Sequence, residues 1–236
     1  MQVTHVRDYA YFRSLWEDYQ ALPKQLLRVT CLMGSSFIPA SSDGVLHLDS
    51  VLASAVSLDV ASVLSPLKKS EPKVIPLPLE VVWLSEDALP LFASSNLQPD
   101  ATLAKSTDYW HKRFPAREVI HYCARPNTPT TRGVFKEYRV PMSILNCATL
   151  TAHCIANKAE LYRLLSTYIT FLGKKSAQGA GYVLDWQVEV DESATTLNDI
   201  LSRRPVPSQY FGKPYGPLGG WTPPYWFRPW HKTLLT

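Results

Sequence analysis

The sequence predicts an α+β sandwich carrying a basic insertion and an aromatic, proline-rich tail. Three observations predict it. Strand-type alternation appears at Leu26–Met33 and again at Tyr182–Val190. Between these two stretches helix-type spacing appears twice, at Val45, Leu48, Leu52, Ala55 and Val56 and at Leu161, Leu164, Leu165, Tyr168 and Leu172. The elements then follow the order strand, helix, strand, insertion, strand, helix, strand. That order is βαββαβ, the split βαβ of a ferredoxin-like fold.

Residues 1–24 read as an N-terminal extension. Tyr9, Phe12, Leu15, Trp16 and Tyr19 recur at helical steps, and Pro23 closes the segment. Packing of this helix on its own domain is expected, with docking on a neighbouring subunit as the alternative. In the first strand Leu27, Val29, Cys31 and Met33 point one way. Gly34–Gly44 is a loop of small and polar residues, and Asp43 can cap the helix after it. His47 reads as a surface or capping residue. Pro66–Pro78 is a proline-broken connection, and Leu79–Leu84 is the expected second strand of the sheet.

Periodicity fades between Glu86 and Pro141, the insertion. Within it Val119–Ala124 and Val134–Val140 are expected to pair as a hairpin around Pro126–Gly133. Ala148–Ala156 is the third strand, and Lys158–Leu172 the second helix, with Gly173 at its stop. Residues 25–190 thus form the domain, with the insertion at about 86–141, and 191–236 form a C-terminal extension too aromatic for a disordered linker.

The chain has 236 residues and a net charge of +4. That charge is uneven. Residues 1–104 carry 7 basic and 11 acidic groups, residues 105–139 carry 8 and 3, and residues 140–236 carry 9 and 6. A local basic surface suits a polyanionic partner, although a plain solvated face gives the same count. No apolar run approaches the length of a membrane span, no signal-peptide core is present, and a cytoplasmic protein is expected. Cys31, Cys123, Cys147 and Cys154 contain no Cys-x-x-Cys pair and read as reduced, packed thiols. No metal site or cofactor is called for.

The stretch between the second helix and the last strand organises the functional reading: Leu172-Gly173-Lys174-Lys175-Ser176-Ala177-Gln178-Gly179-Ala180-Gly181. Glycines free the backbone, and adjacent lysines supply positive charge for a phosphate. A Walker loop and a dinucleotide fingerprint both need a strand before and a helix after, the reverse of this order. Upstream, Tyr109-Trp110-His111-Lys112-Arg113 interleaves rings with cations, which suits bases and phosphates together.

The loop, flanked by helix and strand, closely resembles the glycine-rich loop of CRISPR RAMP proteins, RRM-like subunits that bind or process CRISPR RNA. Three further stretches resemble one branch, the Cas five-like subunit of type IV CRISPR effector complexes: His47–Ala53, Thr107–Arg113 and Gly220–Trp226. The resemblance runs through roughly residues 25–232. It implies a non-catalytic subunit of a ribonucleoprotein complex that holds the 5′ handle of the crRNA at one end. It also implies contacts to a guide-coating backbone subunit, to a large subunit and to target DNA near the protospacer-adjacent motif, with a helicase as a further recruit and no membrane.

The residues expected to meet RNA fall into three groups. In the loop, Lys174 and Lys175 neutralise phosphates, Ser176 and Gln178 reach sugar or base edges, amides near Gly179 and Gly181 donate to phosphate oxygens, and Gly173 completes the set. In the insertion they are Tyr109, Trp110, His111, Lys112, Arg113, Arg117, Arg132 and Lys136. In the tail they are Arg203, Arg204, Trp221, Tyr225 and Trp226, whose rings either stack on bases or fill a core. The runner-up is a metal-independent endoribonuclease that matures crRNA, with His111, His121, His153 and His231 as bases to choose from. A protein–protein adaptor using the tail is the third reading.

Overall fold

The computed structural model of the protein describes residues 3–39, 45–62, 72–100, 104–112, 137–193, 195–213 and 216–234. In chain order the described elements begin with α1 (Val3–Ala21), β1 (Gln25–Met33), β2 (Leu46–His47) and α2 (Leu48–Asp59). Short strands β3 (Val81–Leu84), β4 (Pro90–Phe92) and β5 (Asn96–Pro99) follow. Next come β6 (Ala104–Lys112), β7 (Tyr138–Asn146), β8 (Thr149–Ala156), α3 (Lys158–Tyr168) and β9 (Val183–Val190). The tail adds α4 (Leu197–Ser202), β10 (Leu218–Gly219) and β11 (Lys232–Thr233).

Mixed α and β elements share antiparallel sheets. The main sheet runs β2-β5-β8-β1-β9, and each neighbouring pair in it is antiparallel. β1 is central: Leu27, Val29 and Cys31 are fully buried and alternate with half-exposed residues. Antiparallel strands with one face on helices produce this in-out pattern. The helices supply the other layer. Leu48, Leu52, Ala55 and Val56 of α2 and Leu161, Leu164 and Leu165 of α3 enter one core cluster with the sheet. From the middle of α3, Arg163 bridges Asp59 at the end of α2 at 2.7 Å and Glu160 of its own helix at 2.8 Å, and its guanidinium holds the Asp59 carboxyl below the usual range. α1 packs on the same body: Phe12 and Tyr19 are buried, and the Tyr19 hydroxyl donates to Glu160 at 3.2 Å.

Four sequence expectations change. Leu79–Leu84 is not one strand of the main sheet. Leu79 bridges Ala156, then the chain leaves and Val81–Leu84 pairs with β4. β5 takes the place beside β8 through Gln98 and Pro99. Asn96-Leu97-Gln98-Pro99 holds one aliphatic residue, so no period marked it. The insertion does contain a hairpin, but it is β6 with β7, in register from Ala104↔Asn146 to Lys112↔Tyr138. Residues 138–140 therefore pair with Trp110–Lys112, and Val119–Ala124 lies outside the described residues, as does Asp43.

The second helix ends at Tyr168 instead of Leu172, because Phe171 bridges Tyr182 and the Leu172 amide donates to Gly181 O. Its start is capped by Asn157, whose side chain accepts from the Glu160 amide. Finally β9 changes phase. A register shift sets Met33 against Val183 while Leu32 faces Asp185. Trp186 and Val188 point inward as expected, but Val183 fills the next inward place and Leu184 is 63 % exposed. A bulge inserts one residue and flips the faces beyond it.

Candidate nucleic-acid interface

The glycine-rich loop is built into the sheet at both ends. The Lys174 amide donates to Ile38 O at 2.7 Å, and the Gly181 amide to Ser36 O at 2.8 Å. The Ser35 hydroxyl donates to Gly179 O at 2.8 Å and accepts from the Tyr182 amide. Gly173 and Gly181 have positive φ and no room for a side chain: a Cβ would sit 2.2 Å from Ile38 O and 1.8 Å from Leu172 O respectively. Between these anchors Lys175 adopts a left-handed conformation, φ 67°, and starts a single 3₁₀ turn, Ser176–Gln178.

That geometry corrects one detail. The amides of Gly179 and Gly181 donate to Ser176 O and Ser36 O, so neither faces a ligand. Among the described residues, the amides of Ser176 and Ala177 at the start of the turn have no such partner. Lys174, Ser176 and Gln178 are exposed, and Lys175 is half-buried.

The half-burial has a cause: Lys175 Nζ lies 3.5 Å from the centroid of the Trp110 ring. A loop and a strand about 65 positions apart in sequence thus meet through a cation–π contact. The β6–β7 arm otherwise projects with both faces exposed. One face carries Trp110, whose Nε1 donates to Tyr138 Oη at 3.3 Å. The other carries Tyr109 and His111, with the Arg139 guanidinium 3.9 Å above the Tyr109 ring. Arg139 belongs to the basic run in the sequence, and its pairing opposite His111 is what brings it there. Lys112 is exposed at the arm's described end. Arg113, Arg117, Arg132 and Lys136, together with His121 and Cys123, lie outside the described residues.

The tail departs from expectation. Arg204, Trp221 and Tyr225 are not ligand-facing. The Arg204 side chain is 1 % exposed and pairs with Asp49, equally buried, at 2.8 Å. Its guanidinium also donates to Phe92 O at 2.8 Å, Ser94 O at 3.2 Å, Trp221 O at 2.6 Å and the Tyr225 hydroxyl at 2.9 Å. Burial works against its charge, and Asp49 more than restores it. The Tyr225 hydroxyl donates to the same carboxylate at 3.0 Å, and burial pushes its pKa well up. Trp221 is fully buried in a second cluster with Leu89, Leu91, Leu201 and Val206. Arg203 and Trp226 stay exposed.

His47 holds the same junction. Its ring stacks on Tyr225 at 3.8 Å with planes 6° apart, and its Nδ1 meets Asn96 Oδ1 at 2.7 Å. It occupies the N-cap position of α2 without capping through its side chain. Asp49 was the unread signal: a carboxylate on the inner face of an amphipathic helix demands a buried cation.

The remaining histidines sit differently. His153 Nδ1 lies 2.7 Å from Asp191 Oδ2. Although burial pushes the Asp191 carboxyl up, hydrogen bonds from Ser193, His153 and Thr195 hold it well below the usual range. His231 Nε2 meets Tyr225 O at 2.9 Å. His111 lies on the arm, in β6. Cys31, Cys147 and Cys154 are buried free thiols, and burial pushes Cys31 up to about 12. No described helix is long and apolar enough to cross a membrane.

Beside the loop, a cleft of about 650 Å³ opens between the arm and the β2–β5 edge of the sheet, and Lys105 and Lys174 line it. Sequence reasoning did not single out Lys105, Asn96 or Gln98, because their shared wall exists only once β5 and β6 are placed.

Comparison with known proteins gives two findings. Residues 25–234 match the family model described as "CRISPR type IV associated protein Csf3". Among solved structures, a chain of the "Cryo-EM structure of the Type III-B Cmr-beta bound to cognate target RNA" is similar at 11 % identity and a TM-score of 0.40. That match covers 80 % of this chain and 68 % of the other. No curated protein matches.

Proposed function

The chain belongs to the Csf3 family of CRISPR type IV associated proteins, and from that premise we propose that it is a non-catalytic, crRNA-binding subunit of a type IV effector complex. In this reading it holds the 5′ handle of the guide at one end of the complex. It contacts a guide-coating backbone subunit and a large subunit, close to the target-adjacent DNA duplex. The work is done in the cytoplasm.

The observation that carries the reading is the contact of Lys175 with Trp110 at 3.5 Å. It draws the lysine-bearing loop and the aromatic strand into one face, where cations and π surfaces lie together. Single-stranded RNA is bound in this manner, with phosphates neutralised while bases stack. The order β5-β8-β1-β9 around α2 and α3 supports a ferredoxin-like, RAMP-type frame for that face. Two of the four candidate bases support a holding role rather than a cleaving one: His153 is committed to Asp191 and His231 to a carbonyl of the tail, both as parts of the fold.

Lys174→Glu combined with Lys175→Glu tests the proposal. The doubly substituted chain should fold normally, yet the complex purified with it should lose its guide RNA. Full retention of RNA would sink the reading. Incubating the wild-type chain with repeat RNA in a chelator tests the catalytic part: no cyclic-phosphate product should form.

A further inference from the structure

We propose that the cleft between the β6–β7 arm and the β2–β5 edge is a pocket for one unstacked nucleobase of the bound RNA. The proposal rests on the RNA-binding reading above and names the part of the ligand that is held here.

The cleft's volume, about 650 Å³, falls in the range of small-ligand sites. Leu46, Leu97 and Leu150 line it from the sheet, and Val140 and Met142 from the arm. Apolar side chains contributed by both the sheet and the arm suit a flat aromatic ring. Polar groups gather at the edges. Asn96 Oδ1 is fixed by His47 Nδ1 at 2.7 Å, which leaves Nδ2 as a donor for the acceptor edge of a base. Gln98 adds an exposed amide from the same strand.

Charge then selects the occupant. Lys105 and Lys174 line the cleft, and no acidic side chain does among the described residues. The ammonium group of neither lysine has a hydrogen-bond or ion-pair partner among the described residues. Two lysines in the lining of a largely apolar cleft, with no acid beside them there, fit a nucleotide, the phosphate on the cations and the base within. Continuity points the same way. Lys174 lines both the cleft and the loop, because its amide is tied to Ile38 O, another part of the cleft wall. A strand whose phosphates follow Lys174 and Lys175 passes the mouth.

The test compares two probes on the full chain, a short oligouridylate and an abasic ribose-phosphate oligomer of equal length, by fluorescence anisotropy. Wild type should prefer the base-bearing strand by about tenfold or more. Ser143→Trp, on the exposed arm strand, should fill the cleft and erase the preference while leaving affinity for the abasic strand unchanged. Gln98→Ala, also at an exposed position, should reduce the preference in the same way and serves if the bulkier variant misfolds. A preference that survives both changes overturns the proposal. So does equal binding of the two probes, which would leave the RNA-binding reading standing. Binding of neither probe removes both together. If Ser143→Trp releases a protein subunit from the purified complex while the preference persists, the cleft takes a peptide and the proposal fails.

Discussion

The glycine-rich loop and the C-terminal tail are written in the same alphabet and used in opposite ways. Each sets paired cations near glycines and aromatic rings: Lys174-Lys175 with Trp110 in one, Arg203-Arg204 with Trp221 and Tyr225 in the other. In the tail, Asp49 decides the outcome. The carboxylate takes Arg204 at 2.8 Å and the Tyr225 hydroxyl at 3.0 Å, and six further acceptors, that hydroxyl among them, fix the rest of the guanidinium. No acid meets Lys174 or Lys175 in an ion pair among the described residues, so their charge stays at the surface. A cation–aromatic string is therefore ambiguous until the inward-facing carboxylates are counted. One buried acid turns a plausible ligand grip into a staple between α2 and the tail.

Removing the staple gives the largest expected effect. Arg204→Ala leaves Asp49 buried without its counter-charge, which costs about 3–5 kcal/mol. Thermal or denaturant unfolding should show that loss, and the double change Arg204→Met with Asp49→Leu should recover part of it, since an apolar pair leaves no orphan charge. Lys174→Ala should move stability by no more than about 0.5 kcal/mol. If Arg204→Ala were as mild as Lys174→Ala, the contrast between the two regions would be broken.

A second effect divides the loop itself. Gly181→Ala places a methyl 1.8 Å from Leu172 O at a positive φ, whereas Gly179→Ala at φ +82° meets nothing within 4 Å. The first should cost about 3 kcal/mol or more, from backbone strain plus displacement of the carbonyl, and the second about 1 kcal/mol. Unfolding of the two variants side by side reads the difference. Equal costs would mean that the loop's far end is not anchored as described.

What the sequence disclosed follows from which forces act locally. Strands β1 and β8, the stripes of α2 and α3, and the position of the loop were legible because periodicity records a buried face. The hidden parts depend on distant partners. β5 carries too few apolar residues to signal itself, and its place beside β8 is set by long-range pairing. The phase change in β9 needs the bulge opposite Leu32 and Met33. In the site, the sequence names Lys174, Lys175 and Trp110 separately, and the contact of Lys175 with Trp110 follows only from the placement of the arm beside the loop. Arg204 stands among the expected RNA contacts because its partner Asp49 lies more than 150 positions away, whereas of the two roles open to the rings, Trp221 and Tyr225 take the core one. Its message, a charge on an apolar helix face, was present in the sequence and unweighed.

The smallest effect tests the contact that joins loop to arm. An ammonium over an indole at a partly exposed site contributes about 0.5–1 kcal/mol. Lys175→Met should therefore lower stability by no more than that, yet change the Trp110 emission, because the charge above the ring is gone. The same variant should weaken RNA binding evenly across sequences and flatten the salt dependence of the affinity by about one unit. Trp110→Leu removes the partner and keeps the cation, so it should leave the salt slope nearly intact while lowering affinity for base-bearing strands. The two variants thus separate the charge that meets phosphate from the ring that holds and stacks. A salt slope that falls equally in both would show that Trp110 acts only by positioning Lys175, and the arm's own share in binding would then lie on its other face, with Tyr109, His111 and Arg139.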